Sequence, residues 1–337
     1  MSARREIAIV SFAEAIVERS PGDDCELLFP VLQRALGGVG LGQRDIGFTV
    51  SGSSDFLGGR PFAFVMATDV LGAWPPIRES HVEMDGAFAL YEAWVRLQHG
   101  DLDTALVYAF GRPSQGPIHD VLSLQLDPYY AAPLRPDALS LGALGARAAL
   151  DAGLTTEAEL AGIASARRGV PASTDEPYLR EPLRAHAAST MRDGAAVIVL
   201  AAGDRARALC PRPAWISGID HRIEAHSLGA RDLARSTSTE QAARAAGALG
   251  FGADTAELHA RFAHEEVLLR RALELPASTR INPSGGALAN DPLMVTGLCR
   301  LGHAARAVMD GASRAIGHAT SGPCLQQNLV CALEARP

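Results

Sequence analysis

The stretch ESHVEMDGAFALYEAWVRLQHGDLDTALVYAFGR, residues 79–112, predicts a turn, a helix and a strand in that order. Apolar side chains recur at helical spacing over residues 87–99, and a β-branched apolar run follows over 104–111. A carboxylate that we expect to be buried, Glu83, stands just before the helix, where the positive end of the helix dipole favours its ionised form. Asp85, next to the first helical residue, is the expected N-cap.

Strands and helices alternate along the remaining sequence, which favours a layered α/β fold. The predicted strands are 6–12, 45–51, 104–111, 195–202, 214–219, 257–262, 314–319 and 328–334. The predicted helices are 26–36, 87–99, 156–164, 239–249, 265–273 and 292–307.

The order of elements in Gly86 to Ser114, a glycine-flanked loop, a long helix and a strand that runs into Gly-Arg-Pro-Ser, recurs near the end of the chain. There, INPSGGALANDP is followed by a helix and by a strand that runs into GHATSGP. Two similar halves joined by a polar middle segment predict a duplicated core. We therefore divide the chain into an N-terminal half (1–115), a connecting or inserted segment (116–192) and a C-terminal half (193–337).

Composition excludes several classes of protein. A chain of 337 residues, 47% hydrophobic with a formal charge of -7, predicts a globular protein without the basic surface of a nucleic-acid binder. No apolar run is long enough for a membrane span, and the start MSARREIAIVSF lacks a secretory signal, so we expect a cytoplasmic protein. None of the 31 basic residues is lysine, which excludes Schiff-base chemistry, and the five cysteines show no metal-ligand spacing.

Three motifs stand out in the sequence: INPSGGALANDPLMVTGLCRLG (281–302), MRDGAAVIVLAAG (191–203) and GHATSGPCLQQNLVCALE (317–334). Together they resemble the thiolase superfamily, especially its lipid-transfer or sterol-carrier branch. The resemblance implies a five-layer αβαβα fold built from two duplicated βαβαβ halves. It also implies an acyl-CoA substrate, with coenzyme A as part of the substrate and no tightly bound cofactor.

The catalytic positions of that superfamily are changed in this chain. Glu83 stands where a thiolase has its nucleophilic cysteine, three residues before the glycine of the helix entrance. His259 replaces the asparagine of the N-E-A-F pattern, and Asp291 falls nearest the histidine of G-H-P. His318 replaces the second cysteine. The resemblance therefore does not extend to Claisen condensation through an acyl-cysteine.

A thioester can also react without a covalent intermediate, by retro-aldol cleavage of a 3-hydroxyacyl-CoA. A base takes the hydroxyl proton, and hydrogen-bond donors hold the thioester enolate. His259 and His318 are the main candidates, because the resemblance places them in two loops that converge on the pocket. His264, Glu83 and Asp291 are further candidates, although each of the three could instead cap a helix or pack structurally.

Binding residues are less clearly marked than catalytic ones. The resemblance implies that two glycine-containing loops approach the substrate, with Gly285, Gly286, Ser321 and Gly322 as the contacts. Scattered arginines (Arg167, Arg168 and Arg261) are candidates for the phosphates. Cys324 lies in the second loop, but its apolar surroundings favour a buried structural thiol. We predict no metal site, because no ligand cluster is visible in the sequence.

Two functions follow from these observations, with a third left open. The first is an aldolase acting on a bulky, steroid-type 3-hydroxyacyl-CoA. The second is a non-catalytic subunit that stabilises a homologous active chain, and the third is a carrier of lipid thioesters. The resemblance implies a homodimer, or a heteromer with a second thiolase-like chain and an OB-fold partner. An exposed apolar patch would favour the subunit.

Overall fold

Within residues 5–59 and 61–337, which the computed structural model describes, ten strands form one mixed sheet. Residues 1–4, part of the start in which no secretory signal was found, lie outside this description. The strands are β1 Ile7–Val17, β2 Phe48–Gly52, β3 Glu79–Val82, β4 Thr104–Gly111, β5 Tyr178–Arg180, β6 Leu183–Arg184, β7 Asp193–Ala202, β8 Ala214–Ile223, β9 Thr255–Glu257, β10 Arg280–Ile281, β11 Arg314–Ser321 and β12 Gln327–Glu334. β5 and β6 form a separate small hairpin.

The helices lie between these strands. They are α1 Asp24–Gly37, α2 Asp55–Gly58, α3 Ala67–Val70, α4 Gly86–Gln98, α5 Ile118–Leu124, α6 Ala138–Asp151, α7 Glu157–Arg168, α8 Gly203–Leu209, α9 Thr237–Ala245, α10 Ala263–Ala272, α11 Gly286–Ala289 and α12 Thr296–Met309. No helix in the described part of the chain combines the length and the apolar character needed to cross a membrane.

The order of strands in the large sheet confirms the predicted duplication. The order is β10-β9-β11-β12-β8-β1-β7-β4-β2-β3, so the two halves meet where β8 pairs with β1. Counted outward from that junction, each half has two antiparallel pairings followed by two parallel ones. Both halves therefore have the same strand order and the same pairing pattern.

The hydrophobic core is divided into layers by this sheet. The central layer contains α4 and α12, whose buried side chains pack together with strands of both halves. On the outer faces, α1 covers β1, β4 and β7, while α9 and α10 cover β9, β11 and β12. The two halves of the ten-stranded sheet form the two sheet layers. With the two outer helical layers and the central helical layer, they give the expected five-layer αβαβα fold.

Local sequence explains why the central helix α4 begins where it does. Asp85 accepts a hydrogen bond from the Ala87 amide (2.8 Å) and so caps the helix. Gly86 is required because α4 starts against β2 and β4. A Cβ on Gly86 would lie 2.7 Å from that of Ala109, and one on Gly52 would lie 2.5 Å from the Gly86 Cα. Such contacts leave no room for a side chain.

The structure corrects several predicted elements. Residues 79–82 are not a turn but β3, an edge strand parallel to β2. The predicted strand 257–262 ends at Glu257, because the next amides bond to side chains: Leu258 N–H donates to Asn282 Oδ1 (2.6 Å) and His259 N–H to His318 Nδ1 (3.3 Å).

The segment 116–192 contains more secondary structure than the sequence predicted. It forms α5, α6, α7 and the β5–β6 hairpin, and apolar residues of α6 and α7 pack with α10 in a cluster of their own. The sequence boundaries place β7 in the C-terminal half, whereas in the sheet it lies between β1 and β4. The domain boundaries given by the sequence stay a prediction: 1–115, 116–192 and 193–337.

Candidate active site

A cavity of about 530 Å³ lies where the N-terminal end of α4 meets α5, α6, the start of α10 and the β11–β12 connection. This volume is typical of small-molecule sites. Its apolar wall is lined by Phe56, Met84, Leu122, Leu124, Leu126, Leu141, Phe262, Leu293 and Met294. Its polar wall contains Glu83, Asp85, His259, Arg261, Glu265, Thr320 and Ser321.

A second, wider cavity of about 860 Å³ opens between β1 and the C-terminal half of α12. It is lined mainly by charged and polar side chains, including Glu14 and Arg306. None of the site residues predicted from the sequence lines it. We therefore treat the smaller cavity as the candidate active site.

Glu83 lines this cavity but is not a buried acid, which corrects the sequence-based expectation. Its side chain is 46% exposed. One carboxylate oxygen accepts a hydrogen bond from the Asp55 amide (2.6 Å), and the other lies 3.2 Å from His81 Nε2. The carboxylate is therefore held at the mouth of the cavity, where water solvates its charge.

The buried acid at the helix entrance is Asp85. Its carboxylate accepts hydrogen bonds from Ala87 N–H in α4 and from Gly297 N–H (2.7 Å) and Leu298 N–H (3.1 Å) in α12. Burial raises the pKa of Asp85 to about 7, although these amides oppose the shift. One side chain thus caps both central helices.

His259 lines the cavity, and its ring carries a hydrogen-bond donor without a partner among the described residues. Its Nδ1 accepts a hydrogen bond from Thr320 N–H (3.3 Å), so the proton of the neutral ring lies on Nε2. Burial lowers the pKa of His259 to about 3, and the ring is therefore neutral at physiological pH. Nε2 is buried and has no hydrogen-bond partner within residues 5–59 and 61–337. Such a donor is available to a substrate oxygen.

His318 has a different environment from the one the sequence predicted. It lies within β11 rather than in a loop, is fully buried and does not line the cavity. Nδ1 accepts from His259 N–H, and Nε2 donates to Asn328 Oδ1 (3.0 Å). Burial lowers its pKa to about 4. With both ring nitrogens occupied, His318 holds the backbone of His259 in place.

Glu265 is the buried acid that the sequence analysis missed. It lines the cavity and is only 5% exposed. One carboxylate oxygen accepts from the amides of Arg261 (2.7 Å) and Phe262 (3.2 Å) at the start of α10. Burial raises its pKa to about 7, so both protonation states are populated near neutral pH. The signal available in the sequence was an acid at the third position of a helix.

Arg261 and Asp291 form an ion pair beside this acid. Arg261 Nε donates to Asp291 Oδ2 (2.7 Å). Asp291 is fully buried and also accepts from Ser189 Oγ (2.8 Å), Thr296 Oγ1 (2.8 Å) and Leu293 N–H (3.2 Å). Burial is the largest single effect and acts to raise its pKa, but Arg261 and the other groups around the carboxylate, including the Ser189 hydroxyl, together hold the pKa below its usual value. Asp291 therefore positions Arg261 and does not line the cavity.

The remaining predicted residues separate into two groups. Ser321 and Gly322 line the cavity, and Gly322 has the positive φ (75°) that glycine favours. His264 does not line it: its ring stacks on Phe262 and packs against Gly145 of α6, and burial lowers its pKa to about 3.

Gly285 and Gly286 also lie away from the cavity, where they allow close approach to the Arg167 carbonyl and the Asn282 side chain. Of the candidate phosphate ligands, Arg167 pairs with the buried Glu266 (2.8 Å) and Arg168 donates to backbone carbonyls. Both guanidinium groups therefore stabilise the fold.

Cys324 lines the cavity, but it is not an activated nucleophile. Its thiol lies 3.4 Å from the Leu141 carbonyl, and burial raises its pKa to about 12.

Comparisons with known proteins give full-length structural matches. Neither the scan of family models nor the search of curated proteins found a match. Human mitochondrial 3-ketoacyl-CoA thiolase superposes with a TM-score of 0.78 at 16% identity, covering 99% of both chains. The Ltp2-ChsH2(DUF35) aldolase gives 0.77 at 14% identity, covering 98% of both chains. The Bacillus anthracis acetyl-CoA acetyltransferase gives 0.77 at 16% identity, covering 99% of this chain and all of that one. The chain therefore has a thiolase-like α/β fold.

Proposed function

We propose that the protein is a thiolase-fold aldolase that cleaves a bulky, steroid-type 3-hydroxyacyl-CoA. The observation that carries this proposal is that His259 and Glu265 both line the cavity, and that the Nε2–H of His259 has no partner within the described residues. The steroid-type acyl group is inferred from the family resemblance. One structural neighbour, the Ltp2-ChsH2(DUF35) aldolase, supports the reaction type.

Retro-aldol cleavage needs a base, an oxyanion donor and no covalent intermediate. The Glu265 carboxylate would take the proton of the 3-hydroxyl group as the C2–C3 bond breaks and a carbonyl forms at C3. The electron pair moves to the thioester, whose enolate oxygen accepts a hydrogen bond from His259 Nε2–H. Protonated Glu265 then returns the proton to C2, which completes an acyl-CoA and a ketone or aldehyde.

An acyl-cysteine mechanism is not supported by the same geometry. The position of the thiolase nucleophile holds Glu83, a carboxylate. Cys324, the cysteine among the cavity-lining residues, has a pKa raised to about 12 and so carries almost no thiolate at neutral pH.

The test is to measure cleavage of a steroid-type 3-hydroxyacyl-CoA by the purified chain and by two variants. Glu265→Gln should lower kcat by about 10²–10⁴-fold, because it removes the base. His259→Ala should lower it by about 10²–10³-fold, whereas His259→Asn, which keeps an N–H donor, should retain more activity than alanine. Glu92→Gln, at an exposed position of α4, is the matched control. Cleavage by folded Glu265→Gln at the parent rate would contradict the mechanism.

A specific observation also favours the alternative of a subunit in a heteromeric complex. Large apolar side chains are exposed in residues 56–59, 61–65 and 124–134; the first of these stretches starts in α2 and the last at the end of α5, two helices that line the cavity and contact each other. They are Phe56, Phe62, Val65, Leu124, Tyr129, Tyr130 and Leu134. Assaying the chain alone, and after mixing with thiolase-like and OB-fold partners on a sizing column, separates the two functions. Activity that appears only in the mixture and survives Glu265→Gln would favour the subunit.

A further inference from the structure

Three potential metal ligands meet at the cavity mouth, although they are far apart in the sequence. Asp55 is the first residue of α2, His81 lies in β3, and Glu83 follows that strand. One ligand atom from each of the three lies within 4.8 Å of the others. β2 and β3 run parallel with Ser51 opposite His81, so the segments that follow both strands leave the sheet at the same edge. The sequence analysis found no metal site because this cluster depends on strand pairing.

The imidazole of His81 is held in one orientation. Its Nδ1 lies 2.9 Å from Ser51 Oγ, and its ring stacks on Phe64 at a centroid distance of 4.4 Å. These contacts leave Nε2 facing the two carboxylates. A second hydrogen bond that fixes the ring and directs the other nitrogen at the remaining ligands is the usual arrangement of a metal-bound histidine.

Within the described ranges 5–59 and 61–337, no arginine forms an ion pair with either carboxylate. Both Asp55 oxygens accept hydrogen bonds from backbone amides, those of Phe62 (2.8 Å) and Ala63 (2.9 Å), which hold the carboxylate in one orientation. Among the ion pairs within the described ranges 5–59 and 61–337, Glu83 pairs with His81 and Asp55 pairs with no basic side chain. The local charge therefore favours a cation.

We propose that Asp55, His81 and Glu83 bind a divalent transition-metal ion, with Zn²⁺ the expected ion. One imidazole and two carboxylates suit first-row transition metals better than Mg²⁺, which prefers oxygen ligands and retained water. Three protein ligands leave positions for water or substrate. Because Glu83 also lines the cavity, the ion lies at its mouth. This inference does not depend on the retro-aldol reaction.

The experiment is a Co²⁺ titration of the metal-stripped full-length chain, followed by visible absorption, with Zn²⁺ as competitor. We expect one equivalent of Co²⁺ to bind and to be displaced by Zn²⁺ but not by equimolar Mg²⁺. Glu83→Gln, which keeps an acceptor for the Asp55 amide, and His81→Ala should each weaken binding by at least about 100-fold, since even outer-shell changes cost about 10–100-fold. His119→Ala, at an exposed histidine outside the cluster, is the control.

Three results would overturn the proposal. They are no binding at millimolar Co²⁺, parent-like affinity in Glu83→Gln, and a thiolate charge-transfer band showing that a cysteine holds the ion. Because binding is measured without substrate, none of these results bears on the proposed retro-aldol cleavage. Loss of activity in Glu265→Gln with unchanged Co²⁺ affinity would separate the two sites.

Discussion

Replacing Glu265 with glutamine should stabilise the protein increasingly as the pH rises from 5 to 8. Burial raises the pKa of this acid from 4.5 to about 7, so between these values the folded state binds more protons than the unfolded state. The contribution of this group to stability therefore falls as the pH rises and levels off at about pH 8, one unit above the folded-state pKa. Because glutamine cannot ionise, the Glu265→Gln variant does not lose this stability as the pH rises.

The magnitude follows from the shift. At 1.36 kcal/mol per pKa unit, ionising Glu265 in the folded state costs about 3 kcal/mol, most of which develops between pH 5 and 8. The share of this free energy that develops between pH 5 and 8 corresponds to about 3 °C in Tm, because the unfolding entropy averages about 2 cal/mol/K per residue over 337 residues. Comparing the two pH values cancels any fixed cost of the new amide group.

The assay is thermal unfolding of the parent and of Glu265→Gln at pH 5 and pH 8, followed by circular dichroism. The Tm of the variant relative to the parent should be about 3 °C higher at pH 8 than at pH 5. Glu92→Gln, at an exposed carboxylate of α4, removes a charge that is already solvated and is the control. A Tm difference that is the same at both pH values would refute the argument that burial raises this pKa.

Three further predictions concern other residues of the site. Asp85→Ala should lower the free energy of unfolding by about 1–4 kcal/mol, because one carboxylate caps two helices, and a Tm equal to the parent's would contradict this. Arg261→Leu should cost about 3–5 kcal/mol in urea unfolding, since it leaves the buried Asp291 carboxylate without its cation; a loss below 1 kcal/mol would show that the neighbouring hydroxyls suffice. Iodoacetamide at pH 8 should alkylate Cys324 about 10³-fold more slowly than a free thiol, because burial raises its pKa from 9.0 to about 12; peptide mass spectrometry measures the rate, and labelling as fast as a model thiol would disprove it.

The sequence predicted well the helices and strands that have strong apolar periodicity. It did not predict those that depend on pairing with distant segments of the same chain. The helix 87–99 and the strand 104–111 correspond to α4 and β4, because their apolar spacing is set by neighbours in the chain. β3 was missed because four half-exposed residues carry no clear alternation, and only pairing with β2 makes them a strand. The predicted strand 257–262 failed because long-range side chains take its backbone hydrogen bonds.

The residues of the candidate site divide in the same way, into those that the sequence predicted and those that only tertiary packing identified. Glu83, His259, Ser321 and Gly322 were predicted and do line the cavity. Glu265 was missed because its sequence position indicates only a helix start, while its burial comes from packing around the cavity.

The sequence by itself determined the α/β class, the duplicated order of elements, the absence of lysine chemistry and the lack of a cysteine at position 83. These properties depend on residue identity and on spacing between neighbours. Tertiary structure alone decided that Nε2 of His259 has no hydrogen-bond partner in the described part of the chain, while both ring nitrogens of His318 are bonded. It also decided which acid is buried and brought Asp55 to His81 and Glu83. Burial and hydrogen-bond partners are set by residues distant in the chain, and the strand pairing that brings them together is not encoded in any local pattern.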